Sequence, residues 1–506
     1  MSDTSKTSAQ WKSEQQRAER KERLAKMKSK DGGKKQIKTT NPAVRITVSI
    51  IVIIALLWVG VWAAIRSGLP HHWFTAVTIG SIEVKAVDVN YYYYQQLSAY
   101  GLNPAESDSQ DTLKADSGIE GFKTNADYLK DQAVQQLQQD VMLADQAQKA
   151  GITLAEEDAE LIETYLANLK QAAAQEGQTF DNYLVNALGP GMNEAVLRRC
   201  VERMLLADRF AEEKKASFTF DEAELQAAYE KDKNQYDLVD YRAFYFASNA
   251  ASDATSAEKT KAMEEAKNKA DEMLSRITDE DSFRALCIEY SDKEESINYQ
   301  TNDASLYTNK YYNNITPIVV RDWLFDEARK PGDKAVVEST SGYYVLMFLN
   351  RQRADYERVN VRHILIQVNR QSASDEEIET ARKKAQSILD TYLNGEKTEE
   401  AFAALAKENS ADSNAEQGGL YEGIYRGQMV SEFDAWCFDP ARKAGDTGLI
   451  QTDYGFHVMY FIGKDGIDWK IRAEETLREE AFQKYLDELV KQYPYSINAF
   501  GYRFVG

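Results

Sequence analysis

Residues 453–461 read DYGFHVMYF and residues 340–348 read TSGYYVLMF; they align at an offset of 113, so that His457 stands where its near-twin carries Tyr344. The chain has only four histidines, and each placement is therefore informative. An imidazole in an apolar strand is suited to proton transfer, metal binding or a hydrogen bond across a sheet. A catalytic zinc site wants about three protein ligands, whereas only His363 and His457 are available as ligand-type histidines in this part of the chain. No metal and no cofactor is expected. The three cysteines, Cys200, Cys287 and Cys437, are odd in number and scattered, so they form no disulfide framework. Their apolar or helical contexts read as small buried hydrophobes. No phosphate-binding loop, nucleophile triad or zinc-ligand spacing is present.

The elements that must position His457 belong to an internal repeat of about 115 residues. Trp323-Leu-Phe-Asp aligns with Trp436-Cys-Phe-Asp at 113, Phe283 and Leu286 with Phe402 and Leu405 at 119, and Tyr241-Arg-Ala with Val361-Arg-His at 120. A drifting offset means changed loop lengths between duplicated domains. In the second copy Ser374 and Glu377 form a capping box, Ile378, Ala381, Ala385, Ile388 and Leu389 share one helix face, and Asn394-Gly395 ends the helix. Each copy reads strand, helix, helix, irregular loop, helix, then strands.

The 506 residues exceed one core and carry a formal charge of −20. Residues 1–45 hold 13 Lys/Arg against 5 Asp/Glu, which leaves the remainder near −28. So acidic a body is a poor partner for nucleic acid or anionic lipid. The leader is polar, Lys-rich and expected to be disordered. Ile46 to Ile65, ITVSIIVIIALLWVGVWAAI, is uncharged over twenty residues and bracketed by Arg45 and Arg66. That length just spans a hydrocarbon core of roughly 30 Å and exceeds a signal peptide's apolar run of ~7–15 residues. With the basic leader on the cytoplasmic side, the expectation is a single-pass anchor with the bulk of the chain extracytoplasmic. VTIGSIEV (77–84) alternates like a short strand, and 88–234 reads as amphipathic helices broken near Gly151, Gly177 and Gly189. Tyr91 to Tyr94 read as half-buried packing. After Gly466 come one more helix and a last possible strand, YSINAFGYRFV.

VRHILI, AFAALAKENSAD, GG, YRGQMVSEFD and TDYGFHVMYF occur in this order between about 357 and 465. Together they resemble a parvulin-type peptidyl-prolyl isomerase domain. The wider layout is similar to the PrsA/SurA/PpiD group of extracytoplasmic foldases. The fold class this implies is α+β: two tandem parvulin-like domains, an all-helical chaperone module and one N-terminal transmembrane helix. The expected boundaries are a basic tail 1–45, the membrane helix 46–65, a helical module 77–235, a degenerate parvulin-like domain 236–353, a parvulin domain 354–466, and a C-terminal segment 467–506 closing the module.

The resemblance implies roles. Met429, Phe433 and Phe438 match the cup for the proline ring, with plain core packing as the other reading of Phe438. His363 and His457 match the two histidines that hydrogen-bond at the centre of the site, either as catalytic groups or as a tie between strands. Asp412 falls where parvulins carry cysteine or aspartate, and an aspartate there fits a conformational rather than a nucleophilic mechanism. Where many parvulins read GGDLG, this chain reads GGLYEG (418–423), and Tyr421 replaces a smaller residue near the cup. In the first copy Ala243, Tyr344, Thr316, Val320 and Lys293 replace His363, His457, Met429, Phe433 and Asp412. Trp323, Phe325, Gly332, Asp333 and Gly342 remain, so that copy reads as a fold kept after its site was lost.

The reading is a membrane-anchored foldase whose second parvulin domain isomerises X-Pro bonds in unfolded or newly secreted clients while the helical module holds them. The secretion machinery is a further expected partner. A non-enzymatic holdase and an envelope scaffold are the competing readings.

Overall fold

The computed structural model describes residues 68–370 and 372–506. The basic tail 1–45 and the apolar segment 46–65 lie outside the described residues. Among the described residues no helix is long and apolar enough to cross a membrane. The chain divides into two units, one comprising the N-terminal part to Thr219 with Arg478–Gly506, the other Phe220–Leu477.

In the first unit a short helix, Leu69–Trp73, precedes a hairpin of β1 (Thr75–Ile79) and β2 (Ile82–Lys85). Helices Ala86–Ala99, Ser107–Lys114, Asn125–Ala150, Glu156–Gln175, Phe180–Leu188 and Glu194–Ala216 follow. The longest of these starts at a Thr124/Asp127 capping box and stops at Gly151, which is left-handed at φ 77°. Its buried stripe includes Leu137, Val141, Ala144 and Ala147. Tyr91, Tyr92 and Tyr93 are buried outright, deeper than expected, and the Tyr92 hydroxyl donates to Asp140 at 2.7 Å.

The second unit opens with helix Glu222–Lys231, which the sequence reading had placed in the helical module. Leu225 and Ala228 on this helix pack with Tyr236, Leu238 and Trp469, so it is held by the parvulin-like part. The first copy comprises β3 (Asp237–Ala247), helices Ser256–Arg276, Glu280–Tyr290 and Lys293–Thr301, then β4 (Leu306–Tyr311), helix Ile318–Leu324, β5 (Lys334–Ser339) and β6 (Gly342–Arg353). The second comprises β7 (Glu357–Gln367), helices Asp375–Asn394 and Glu399–Asn409, then β8 (Leu420–Ile424), helix Ser431–Cys437, β9 (Thr447–Thr452) and β10 (Gly455–Ile467). The antiparallel sheets run β4-β3-β6-β5 and β8-β7-β10-β9, the same topology twice.

Register agrees as well. Ala243 pairs with Leu346 in the first copy, and His363 pairs with Met459 in the second. Scaffold contacts repeat atom for atom. Arg242 Nε and Arg362 Nε pair with Glu280 and Glu399 at 3.0 and 2.9 Å. Arg329 lies 4.2 Å from the Trp323 ring centre and Arg442 lies 4.1 Å from that of Trp436. The copies differ between the second helix and the strand that follows it: the first copy's connection, 291–305, is longer than 410–419 and holds the helix Lys293–Thr301 where an irregular loop was expected.

Strand alternation divides each sheet into two faces. In the second copy Ile364, Ile366, Phe456 and Val458 meet Ala381, Ala385, Ile388 and Leu389 of the Ser374-capped helix. Val361, Met459 and Phe461 face the opposite way, with Phe433, Cys437 and Phe438.

Helix Asp468–Gln492 contributes residues to Leu477 to the second unit and the rest to the first. Strand β11 (Tyr495–Ile497) then pairs with β1, giving a three-stranded sheet β11-β1-β2. The N-terminal unit is therefore not all-helical. VTIGSIEV turns at Gly80 (φ 57°) into a hairpin, and the C-terminal YSI covers its open edge. All three cysteines are buried and free, as expected.

Candidate active site

His363 on β7 and His457 on β10 are brought together on the sheet face away from the long helices. Their Nδ1 atoms lie 3.1 Å apart and their rings stack at 5.3 Å and 19°. His363 is 2% and His457 5% exposed. Across the β9–β10 hairpin the fully buried Thr452 places its Oγ1 2.9 Å from His457 Nε2. One proton lies between the two Nδ1 atoms, so the tautomers are linked: if His457 Nδ1–H donates to His363, Thr452 O–H donates to His457 Nε2. Burial, then the neighbouring His363, pushes the His457 pKa down to about 3. This imidazole is neutral at any physiological pH.

Asp412 follows helix Glu399–Asn409. Ser410 Oγ accepts from both Asp412 N–H (3.2 Å) and Leu365 N–H (3.1 Å), which ties this turn to β7. Asp412 Oδ2 stands 3.4 Å from His363 Nε2, near enough for charge interaction but outside hydrogen-bond geometry, since that nitrogen has no hydrogen-bond partner. Asp412 Oδ1 accepts from Asn414 N–H (3.2 Å) and Tyr421 O–H (3.3 Å). The adjoining His363, with smaller help from Asn414 and Tyr421, holds the Asp412 carboxyl down to about 2. Burial, then that carboxylate, raises Tyr421 to about 12. The site is thus a buried imidazole pair, with His457 neutral, beside a fixed negative charge.

Gly419 explains the Gly-Gly. Its φ is 69°, and a Cβ there would fall 2.1 Å from the His363 carbonyl oxygen. This close approach lets His363 N–H donate to Gly419 O at 2.9 Å. In the first copy Ala243 N–H makes the same bond to Ser305 O at 2.9 Å.

The apolar side is built by helix Ser431–Cys437. Phe433, 3% exposed, stands edge-on to both imidazoles, at 5.5 Å and 81° to His363 and 5.7 Å and 85° to His457. Tyr421 tilts over His363 at 5.2 Å and 33°. Met429 is half-buried against the same cluster. Phe438 belongs to that cluster but turns elsewhere: Tyr356 stands edge-on to it at 5.6 Å and the Arg426 guanidinium lies 4.6 Å from its ring centre. Thr452, Ser410 and Asn414 were not foreseen. The available signal for Thr452 was a hydroxyl in both copies, since Ser339 aligns with it.

In the first copy the equivalent face holds Ala243, with Tyr344 tilted against Tyr245 at 4.5 Å and 37°. Val320 is buried where Phe433 stands in the second. No imidazole pair exists there.

Residues 229–352 and 344–464 each match the PPIC-type PPIase domain family. Chaperone SurA of Ralstonia nicotianae is 25% identical over 177 residues, covering 32% of this chain and 34% of the relative. Chaperone SurA of Chromohalobacter salexigens is 29% identical over 178 residues, covering 33% and 38%. The chain thus matches little more than a third of the length of these relatives. A crystal structure of a PpiC-type peptidyl-prolyl cis-trans isomerase domain is 22% identical, covers 22% of this chain and 94% of its own, and gives a TM-score of 0.19. By the two family matches the second unit carries two PPIC-type, or parvulin, PPIase domains, and the chain is similar to the SurA chaperones over about a third of its length.

Proposed function

We propose that this chain is a foldase: its second parvulin domain isomerises X-Pro bonds and its first unit holds unfolded clients. The observation that carries the proposal is the His363–His457 pair between Phe433 and Asp412, present in one copy, against Ala243 and Tyr344 at the same register in the other. An X-Pro bond interconverts across a resonance barrier of roughly 18–20 kcal/mol, over tens to hundreds of seconds. No covalent bond to the enzyme is required, only tighter binding of the twisted amide than of either planar form. Met429 and Phe433 form the proline cup in this reading. The Asp412 carboxylate, beside the carbonyl oxygen, opposes the resonance form that places negative charge there. That form is what makes the C–N bond partly double. The buried imidazole pair gives the cup a rigid polar floor that needs no rearrangement.

The Ile46–Ile65 segment anchors the chain, with the basic leader cytoplasmic and the body facing newly secreted clients. The twenty-residue uncharged run and the leader's excess of Lys/Arg support this. The secretion machinery is the neighbour this placement implies.

The full chain, reconstituted in nanodiscs, is given an X-Pro tetrapeptide and, separately, an aggregating unfolded protein. Faster isomerisation together with suppressed aggregation is expected. Suppression without isomerisation reassigns the chain as a holdase, and neither leaves an envelope scaffold.

A further inference from the structure

Both parvulin domains lie in one unit, and the first touches the second beside its cup. The turn Tyr425–Gln428 immediately precedes Met429. It is closed by Gln428 N–H donating to Tyr425 O at 3.2 Å, and it is tied to the Phe433 helix by Gly427 N–H donating to Asp434 Oδ1 at 2.8 Å. From the first domain, β4 reaches this turn. The Tyr311 ring stands edge-on to Tyr425 at 5.7 Å and 78°, and the Arg472 guanidinium lies 3.7 Å from the Tyr311 ring centre and 4.7 Å from that of Tyr425. Asn309 comes so close to the turn that a Cβ on Gly427 would fall 3.1 Å from its carbonyl oxygen.

A hydrogen-bond chain crosses the same contact. Arg426 N–H donates to the Tyr356 hydroxyl at 3.1 Å, Tyr356 O–H donates to Tyr311 at 2.9 Å, and Tyr311 O–H donates to Asp468. Each hydroxyl accepts once and donates once. The end point is fixed, because Asp468 is fully buried and also takes Arg358 Nε and Arg472 Nε, both at 2.7 Å. A buried carboxylate with two guanidinium partners and a phenol is an immobile anchor.

We propose that the first parvulin domain positions the substrate cup of the second, with Tyr311 as the positioning residue that clamps the turn leading into Met429. This rests on the second domain being the isomerase. A domain without an imidazole pair thereby acquires a role in the reaction: it supplies the far wall of a turn that the second domain ties down from its own side. The relay links the turn's backbone to Asp468, and the ring contacts link its side chain to Arg472. Removing Tyr311 loosens both while leaving His363, His457 and Asp412 in place.

The test uses the full chain and two readouts: kinetics on an X-Pro tetrapeptide, and amide hydrogen exchange at Gly427, Gln428 and Met429. Tyr311→Leu is expected to raise KM and lower kcat/KM by about tenfold with kcat little changed, and to speed exchange at the turn by at least about tenfold. Tyr311→Phe keeps the ring contacts and recovers most of both. Tyr307→Ala, on the same strand but stacked on Tyr241 at 4.8 Å, leaves both within about twofold. Should Tyr311→Leu fail to fold, Tyr425→Leu removes the same contact from the half-buried side and is expected to behave alike. Unchanged exchange at the turn in Tyr311→Leu and Tyr425→Leu overturns the proposal, as does an equal loss in Tyr307→Ala. A wild-type chain without isomerase activity defeats the functional reading instead, and the exchange experiment still decides the clamp.

Discussion

Acidification from pH 7.5 to pH 5 perturbs the second parvulin domain at one identifiable group. His457 is 5% exposed and its pKa is pushed from an ordinary 6.5 down to about 3. In the unfolded chain it takes a proton as pH falls through 6.5, while in the folded domain it stays neutral. Because the folded value lies below the unfolded one, stability is full above about pH 6.5, declines as pH falls, and reaches its maximal loss near pH 3. At pH 5 the unfolded imidazole is almost fully protonated, and the penalty is about 2 kcal/mol. That is a visible fraction of a domain stability of about 5–15 kcal/mol, yet too small to unfold it. The assay is urea unfolding at the two pH values, followed by the NMR methyl signals of Val458 and Met459, for wild type and His457→Gln. The variant is expected to be less stable at pH 7.5, having lost a buried hydrogen-bonded group, but to shed about 2 kcal/mol less on acidification. Direct observation comes from the imidazole nitrogens, readily resolved among only four histidines. A His457 titration midpoint near 6.5, or an equal pH slope in wild type and variant, would refute the reasoning.

Gly419→Ala should destabilise the second domain by more than about 2 kcal/mol, since its φ is 69° and its Cβ would meet the His363 carbonyl oxygen at 2.1 Å. Gly463→Ala, with nothing within 4 Å, should stay within about 0.5 kcal/mol in the same urea titration. Asp412→Asn should lower kcat/KM by no more than about tenfold, because a conformational mechanism loses only a charge, whereas loss of a nucleophile costs on the order of 10⁴ or more. Thr452→Val leaves His457 Nε2 buried without a partner and should cost about 1–3 kcal/mol, measured as faster amide exchange along β10.

The duplicated sheets and the imidazole pair were legible because strand alternation is local. VRHILI and GFHVMYF each place a histidine between residues of the opposite face, and the offsets 113 and 120 predict the register seen at Ala243–Leu346 and His363–Met459. The capping box at Ser374 likewise needs only four residues. What escaped depends on contacts distant in sequence. YSINAFGYRFV reads as a possible strand, but β11 is only its first three residues and its partner is a hairpin at the other end of the described chain, so the pairing had no local signal. Helix Glu222–Lys231 has the same polarity as the module before it, and only its packing on Tyr236 and Trp469 assigns it to the second unit. Phe438 has the cup's spacing, and its contacts with Tyr356 and Arg426 come from outside that local pattern. Tyr311 carries no signal at all, since its importance comes from Asp468 and Tyr425 in the other half of the repeat.

The most direct test of the central claim is two-dimensional exchange NMR of an X-Pro tetrapeptide with substoichiometric full-length chain. Wild type, a Met429→Ala/Phe433→Leu variant and a Tyr344→Phe variant are compared at pH 7.5. Wild type and Tyr344→Phe are predicted to accelerate cis–trans exchange alike, with the cup variant slower by at least about tenfold. Exchange no faster with wild type than without it, or abolished by Tyr344→Phe while the cup variant stays active, would contradict the assignment of the reaction to the second parvulin domain.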